Sequence, residues 1–257
     1  MGGYCWLMPV VFDMGVCVRH WDWSETSQTV SFLTRERGLV RGIAKGARRE
    51  HAAFSGGIEL LALGEVGMIV KPVRGEAVLT TLTSWDLREH FVMPRKSLMC
   101  FNVGMAAADA VQRSMQEFDP HPETFDALVG CLREMERGMS AAGALARLLW
   151  KMCVDLGYKL DVERDVRSLA ALAGRGNEQT TVWFLPGSGG FTTQRDLQGW
   201  GTRWQTLQAL RGLQRGEEVE GPERAAKLLG SYLTFVLECE IPALQTALDA
   251  MANPASA

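Results

Sequence analysis

The sequence predicts an α+β chain, with a small closed five-stranded β-barrel in residues 1–85 and a mainly α-helical domain in residues 86–252. Three observations carry that expectation. Short runs rich in Val, Ile, Thr, Phe and Leu, punctuated by glycines and polar pairs, fill the first 85 residues. After Pro94 the texture changes to Ala-, Leu- and Met-rich stretches with apolar residues three and four apart. The chain has 257 residues, 47% hydrophobic and 22% charged, which is ordinary globular composition and enough to bury two modest cores.

The strands are expected at Val10–Arg19, Gln28–Thr34, Leu39–Lys45, Ile58–Val70 and Ala77–Thr83. Breaks fall at Ser24–Glu25, Arg37–Gly38, Gly56–Gly57 and Arg74–Gly75. Five short strands leave exposed edges unless the sheet closes on itself, so a barrel is the expected solution. Helices are expected at Leu98–Met115, Thr124–Arg137 and Ala141–Leu156, with Ser140 as N-cap and Gly157 as C-cap glycine of the third. A less regular insert near residues 158–197 follows, holding a strand and tight turn at Thr181–Phe191. Two more helices, Thr202–Leu213 and Glu223–Leu237, are expected to finish the fold, with Pro222 at the first turn of the second. Residues 253–257 read as a disordered tail.

Several function classes find little support. No apolar run is long enough to cross a bilayer, and the apolar N-terminus lacks a basic n-region, so a soluble cytoplasmic protein is expected. The six cysteines are at least twelve residues apart, with no metal-finger spacing, and read as reduced structural thiols. The four histidines are scattered. Gly187–Ser188–Gly189–Gly190 precedes no Lys-Ser or Lys-Thr helix opening, so it reads as a hairpin turn rather than a phosphate cradle. Glu134 and Glu136 read as a solvated helix face. No catalytic group, cofactor or metal ligand is expected.

The informative segment is Ser24–Glu50. Residues 35–49 gather Arg35, Arg37, Arg41, Lys45, Arg48 and Arg49 against the single acid Glu36, inside a chain of formal net charge -3. Such a concentration of cations suits a large anion, and a nucleic-acid backbone is the obvious one; a solvated loop is the plain alternative. Strand alternation puts Arg41, Ile43 and Lys45 on one face, with Arg41 and Lys45 about 13 Å apart. Charge carried on strand ends and loops is how an oligonucleotide-binding (OB) barrel presents it. Lys71 and Arg74 complete the expected nucleic-acid-binding set. Trp21, Trp23, Phe32 and Phe54 are nearby aromatics able to stack bases, with Phe32 expected in the core instead.

The segment resembles the N-terminal domain of the RecO family of bacterial recombination mediators. That family carries an S-E-[TS]-S turn, a strand ending near T-R-E-x-G and a strand closing in A-K-G-[AV]-R-R. The corresponding residues are Ser24–Ser27, Thr34–Gly38 and Ala44–Arg49. Leu148–Leu149 with Leu156–Gly157–Tyr158, and Leu228–Leu229 with Tyr232, are weaker echoes further on. The resemblance implies an OB-like barrel and a non-enzymatic role in DNA repair and homologous recombination. It also implies binding of single- and double-stranded DNA, strand annealing, joint action with RecR, and contact with the acidic C-terminal tail of single-stranded DNA-binding protein. Arg147 and Lys151, four apart on a helix, are the candidates for that tail. Many RecO proteins hold zinc with four cysteines after the L-G-Y helix. Here Phe191–Asp196 carries no cysteine and none lies between Cys153 and Cys239, so this chain resembles a zinc-less member. A protein–protein scaffold whose basic barrel face docks an acidic partner is the alternative function. A nucleoid-associated location goes with the first reading.

Overall fold

A computed structural model describes residues 9–49, 53, 54, 56–70, 80–172 and 180–252. In chain order the elements are β1 (Val11–Asp22), β2 (Gln28–Thr34), β3 (Gly38–Ala44), β4 (Leu63–Ile69) and β5 (Thr80–Glu89). Then come α1 (Met93–Lys96), α2 (Leu98–Ser114), α3 (Pro122–Glu136) and α4 (Ala141–Asp155). Strand β6 (Asp161–Asp165), β7 (Thr181–Leu185), β8 (Gly190–Thr192) and β9 (Trp200–Arg203) precede α5 (Trp204–Arg215), α6 (Pro222–Leu237) and α7 (Pro242–Ala252). The chain divides into two compact units, one of residues up to Phe91 with Val111–Val129, the other of Val92–Ala110 with the remainder from Gly130.

In the first unit the five strands close in the order β1-β2-β3-β5-β4, with β3 and β5 parallel and the other pairs antiparallel. This is the OB-like barrel. Alternation places Cys17, Val30, Phe32, Val40, Ala44, Val66, Met68, Leu82 and Trp85 inside, with the Phe32 and Trp85 rings 4.9 Å apart. Burial of each large side chain there contributes about 1.5–3 kcal/mol. Strand β2 lies between β1 and β3, and all seven of its residues are buried. Its outward-facing Thr29 and Ser31 sit in register between Trp21 and Ile43, and between Arg19 and Arg41. Long side chains from both neighbours thus screen two small polar ones. Phe54 is 5% exposed and belongs to the same core as Phe32, so neither ring is free to stack on a ligand.

The β2–β3 turn shows why Gly38 is there. Its φ is +67°, and a Cβ would overlap the Asp119 carbonyl, which the chain brings against the turn through the Phe118 N–H···O=C Leu39 bond of 3.1 Å. Gly38→Ala is expected to destabilise by about 2 kcal/mol or more, from the left-handed backbone and the collision together. Gly130→Ala, in a helix interior with open space around the added methyl, is expected to stabilise by about 0.5–1 kcal/mol. Urea midpoints read both.

In the second unit α4 is the central helix, with ten of its residues buried. Ser140 caps it by accepting from Gly143 N–H at 3.2 Å, and Gly157 follows it at φ +84°. Pro222 opens α6 as expected. The glutamates read as solvated are employed instead. Glu134 takes Arg147 in a two-pronged ion pair, and Glu136 accepts from Val92 and Met93 N–H at 2.9 Å, capping α1. Among the described residues, the span read as irregular contributes to a four-stranded sheet, β6-β8-β7-β9, continuing to Arg203 past the expected start of α5. The expected hairpin joins β7 to β8 through a 3₁₀ turn at Pro186–Ser188. Helix α7 was not expected, although Leu244, Ala247, Leu248 and Met251 form its buried stripe. The tail at 253–257 lies outside the described residues.

Asp165 ties β6 to β8. Only 3% exposed, its carboxylate accepts from the N–H groups of Arg167 (2.9 Å), Ser168 (3.0 Å) and Thr193 (2.9 Å) and from the Thr192 and Thr193 hydroxyls (3.1 and 3.2 Å). Burial acts to raise its pKa. The bonds from Thr193, Ser168, Arg167 and Thr192 outweigh it and hold the carboxyl well below the usual range.

Candidate nucleic-acid interface

Six cations that are neighbours in sequence are not neighbours in space. Strand β3 spans seven residues, so the Arg35–Arg37 turn and the Lys45–Arg49 turn lie about 20 Å apart at its two ends.

At the first end the charges are consumed by the barrel unit itself. Arg35 meets Asp126 through two bonds of 3.0 and 2.9 Å. Arg37 donates to Asp13 at 3.2 Å, and that buried carboxylate also accepts from Glu36 N–H. Arg41, midway along β3, pairs with Glu117 at 3.1 Å. The T-R-E-x-G turn is therefore held chiefly by structural bonds.

The second end differs. Here the two sequence motifs meet: Gly46 N–H donates to the Ser27 hydroxyl at 3.2 Å, and Arg48 N–H to the Thr26 carbonyl at 3.2 Å. The Arg48 guanidinium reaches Asp22 at 2.6 Å. Gly46, at φ +67°, turns the chain so that Arg49 N–H closes on the Gly46 carbonyl at 3.0 Å. Lys45 and Arg49 are exposed, and among the described residues neither is ion-paired. With Trp23, Ser24, Ser27, Ile43 and Gly46 they line a cleft of about 460 Å³. Arg41 and Ile43 share the outer face of β3, as alternation predicts, and Lys45, expected on the same strand, follows its last residue in the turn. Lys71 and Arg74 lie outside the described residues.

Sequence reading missed Arg19. It stands in register with Ser31 and Arg41 on the same outer face, with its guanidinium 5.4 Å from the Trp21 ring centre. The signal was present in the alternation of β1, but Arg19 falls outside the dense charge cluster.

In the second unit Arg147 is half-buried and held by Glu134 at 2.6 Å, while Lys151 is exposed. A groove of about 710 Å³ lies between edge strand β9 and α6. It carries Arg203, Arg224 and Lys227 over Trp200 and Leu228, and among the described residues no ion pair involves those three cations.

Family models for recombination protein O match this chain over both parts, the N-terminal one at residues 8–91 and the C-terminal one at residues 102–241. The chain belongs to the RecO family. DNA repair protein RecO of Rhodopirellula baltica is 36% identical over 113 residues, 44% of this chain and 41% of that protein. The Salinibacter ruber protein of the same name is 32% identical over 126 residues, 49% and 47% of the two chains. That of Syntrophobacter fumaroxidans is 27% identical over 162 residues, 63% and 61%. These alignments span roughly two fifths to three fifths of the relatives' own length.

The zinc held by many RecO-family proteins does not fit the residues here. Phe191 packs 5.0 Å from Phe184 in the core, and Thr192 and Thr193 are donors to Asp165. The Asp165 carboxylate, surrounded by N–H and O–H donors, ties β6 to β8 without a metal ligand among those donors. Among the described residues no group of three or more His, Cys, Asp or Glu side chains is placed to share an ion. The five cysteines within the described residues are free thiols, and burial pushes those of Cys17, Cys131 and Cys153 up, the last to about 12. No helix among the described residues is long and apolar enough to cross a membrane.

Proposed function

We propose that this chain is a non-catalytic DNA repair and recombination mediator that binds single- and double-stranded DNA through the barrel and promotes annealing of complementary strands. The observation that carries the reading is the pair Lys45 and Arg49, exposed on an OB-like barrel at the end where the family's two motifs are bonded together. Arg19 extends the cationic surface along the outer face of β1–β3 beside Arg41, which is paired with Glu117, and Arg48, paired with Asp22, lies in the same turn as Arg49. Contacts of this kind meet phosphates rather than base edges, so binding has little sequence preference.

Joint action with a RecR partner on DNA coated by single-stranded DNA-binding protein belongs to the same proposal. The β9–α6 groove suits the acidic tail of that protein better than Arg147 and Lys151. Its three cations have no carboxylate of the described chain to displace, and its floor is apolar. The test of the main reading is binding and annealing of plain complementary oligonucleotides across a salt series. Salt-dependent binding with accelerated annealing supports it. A protein that ignores oligonucleotides but captures an acidic polypeptide would favour the scaffold reading instead.

A further inference from the structure

Trp23 is 64% exposed and Trp21 39% exposed, on a barrel that buries Phe32, Phe54 and Trp85 almost completely. Two exposed indoles two residues apart, beside cations that have no ion pair among the described residues, form an apolar patch of the kind that marks a binding surface. The placement of Trp23 is well defined, because the turn that carries it is fastened at both ends. Trp23 N–H donates to the Ser27 carbonyl at 2.9 Å, Ser27 N–H to the Ser24 hydroxyl at 3.2 Å, and Ser27 in turn accepts from Gly46. The indole thus stands at the rim of the Lys45–Arg49 cleft, whose volume lies within the range of small-molecule sites.

We propose that Trp23 is a stacking platform for one unpaired base, whose flanking phosphates are held by Lys45 and Arg49, so that this end of the barrel selects single-stranded over duplex nucleic acid. The inference rests on the DNA-binding reading above and adds the form of the substrate. Cations alone cannot make that distinction, since both forms present phosphates. A base face is available only in a strand whose bases are not already stacked in a helix, and every base has one, which keeps sequence preference low. Trp21, with Arg19 against its ring, extends the same surface along β1 and offers a place for the next base.

The test uses the full chain and three dye-labelled ligands: a homopyrimidine strand, the same strand annealed into duplex, and a strand of abasic sites. Trp23→Ala is expected to weaken single-strand binding about tenfold and to leave duplex binding within about twofold. Trp23→Phe should recover part of the loss, and the abasic strand should bind the natural chain as weakly as the plain strand binds Trp23→Ala. Indole fluorescence should be quenched by the homopyrimidine strand and less so in Trp23→Ala. Equal losses on strand and duplex, or no loss on either, would overturn the platform while leaving the DNA-binding reading standing. If the natural chain binds none of the three ligands, both fall together.

Discussion

Asp165→Ala is expected to cost about 3 kcal/mol of stability, the largest single effect anticipated for the second unit. The substitution removes the one acceptor shared by three backbone N–H groups and two hydroxyls across β6 and β8. Each donor left without a partner costs about 1–3 kcal/mol when buried, and less where water reaches it, as it does at exposed Arg167 and Ser168. Asp165→Asn keeps the volume but turns an amide N–H₂ toward donors, so a loss of about 1–2 kcal/mol is expected. The pH dependence has a definite sign. The folded carboxyl titrates below its unfolded value of about 3.9, so its contribution is complete above that value. It declines as pH falls toward the folded value. The gap between the natural chain and Asp165→Asn in urea midpoint should therefore be full at neutral pH and shrink on acidification below about pH 4. A midpoint unmoved by Asp165→Ala would show that the sheet is held elsewhere.

Neutralising Glu117 and Asp126 together is expected to raise affinity for single-stranded DNA by about tenfold at moderate salt. Both carboxylates hold arginines, Arg41 and Arg35, that would otherwise be available to phosphate. Glu117→Gln with Asp126→Asn changes the formal net charge from -3 to about -1 and frees two guanidinium groups. Exposed pairs of this kind contribute only about 0–1 kcal/mol each, so folding should survive the change. Asp13→Asn is the contrasting case. That carboxylate is buried and pins both Glu36 N–H and Arg37, so its loss should lower stability with no gain in affinity. Unchanged binding in the Glu117–Asp126 variant would mean that Arg35 and Arg41 serve the fold alone.

The barrel was legible because its strands are rich in β-branched and aromatic residues and its turns carry glycine; in β3 Arg41 and Ile43 point outward, and Val40 and Ala44 inward, as period two requires. Strand β5 runs past its expected end at Thr83 because Ser84–Glu89, with three charged residues, does not read as strand. Strands β6 and β9 were missed for a similar reason. They are short edge strands of the second sheet, and DVERD is nearly all charge. The acids that neutralise the arginines could not be read from a local window. Asp126 is 91 residues from Arg35, and only the fold brings them together. A charge count along the chain therefore could not show that Arg35, Arg37 and Arg48 are ion-paired while Lys45 and Arg49 have no ion pair among the described residues.

The central claim is that this second end of the barrel binds nucleic-acid phosphate. Its most direct measurement is the slope of log affinity against log salt for a plain single-stranded oligonucleotide, compared between the natural chain and the Lys45→Ala, Arg49→Ala variant. Each cation that neutralises a single-strand phosphate adds about 0.7 to that slope, so the variant should lose about 1.4 and anneal complementary strands more slowly. Arg133→Ala with Arg137→Ala, in the helical part of the chain, should leave the slope nearly unchanged. A double variant at Lys45 and Arg49 that keeps the natural slope and annealing rate would contradict the claim.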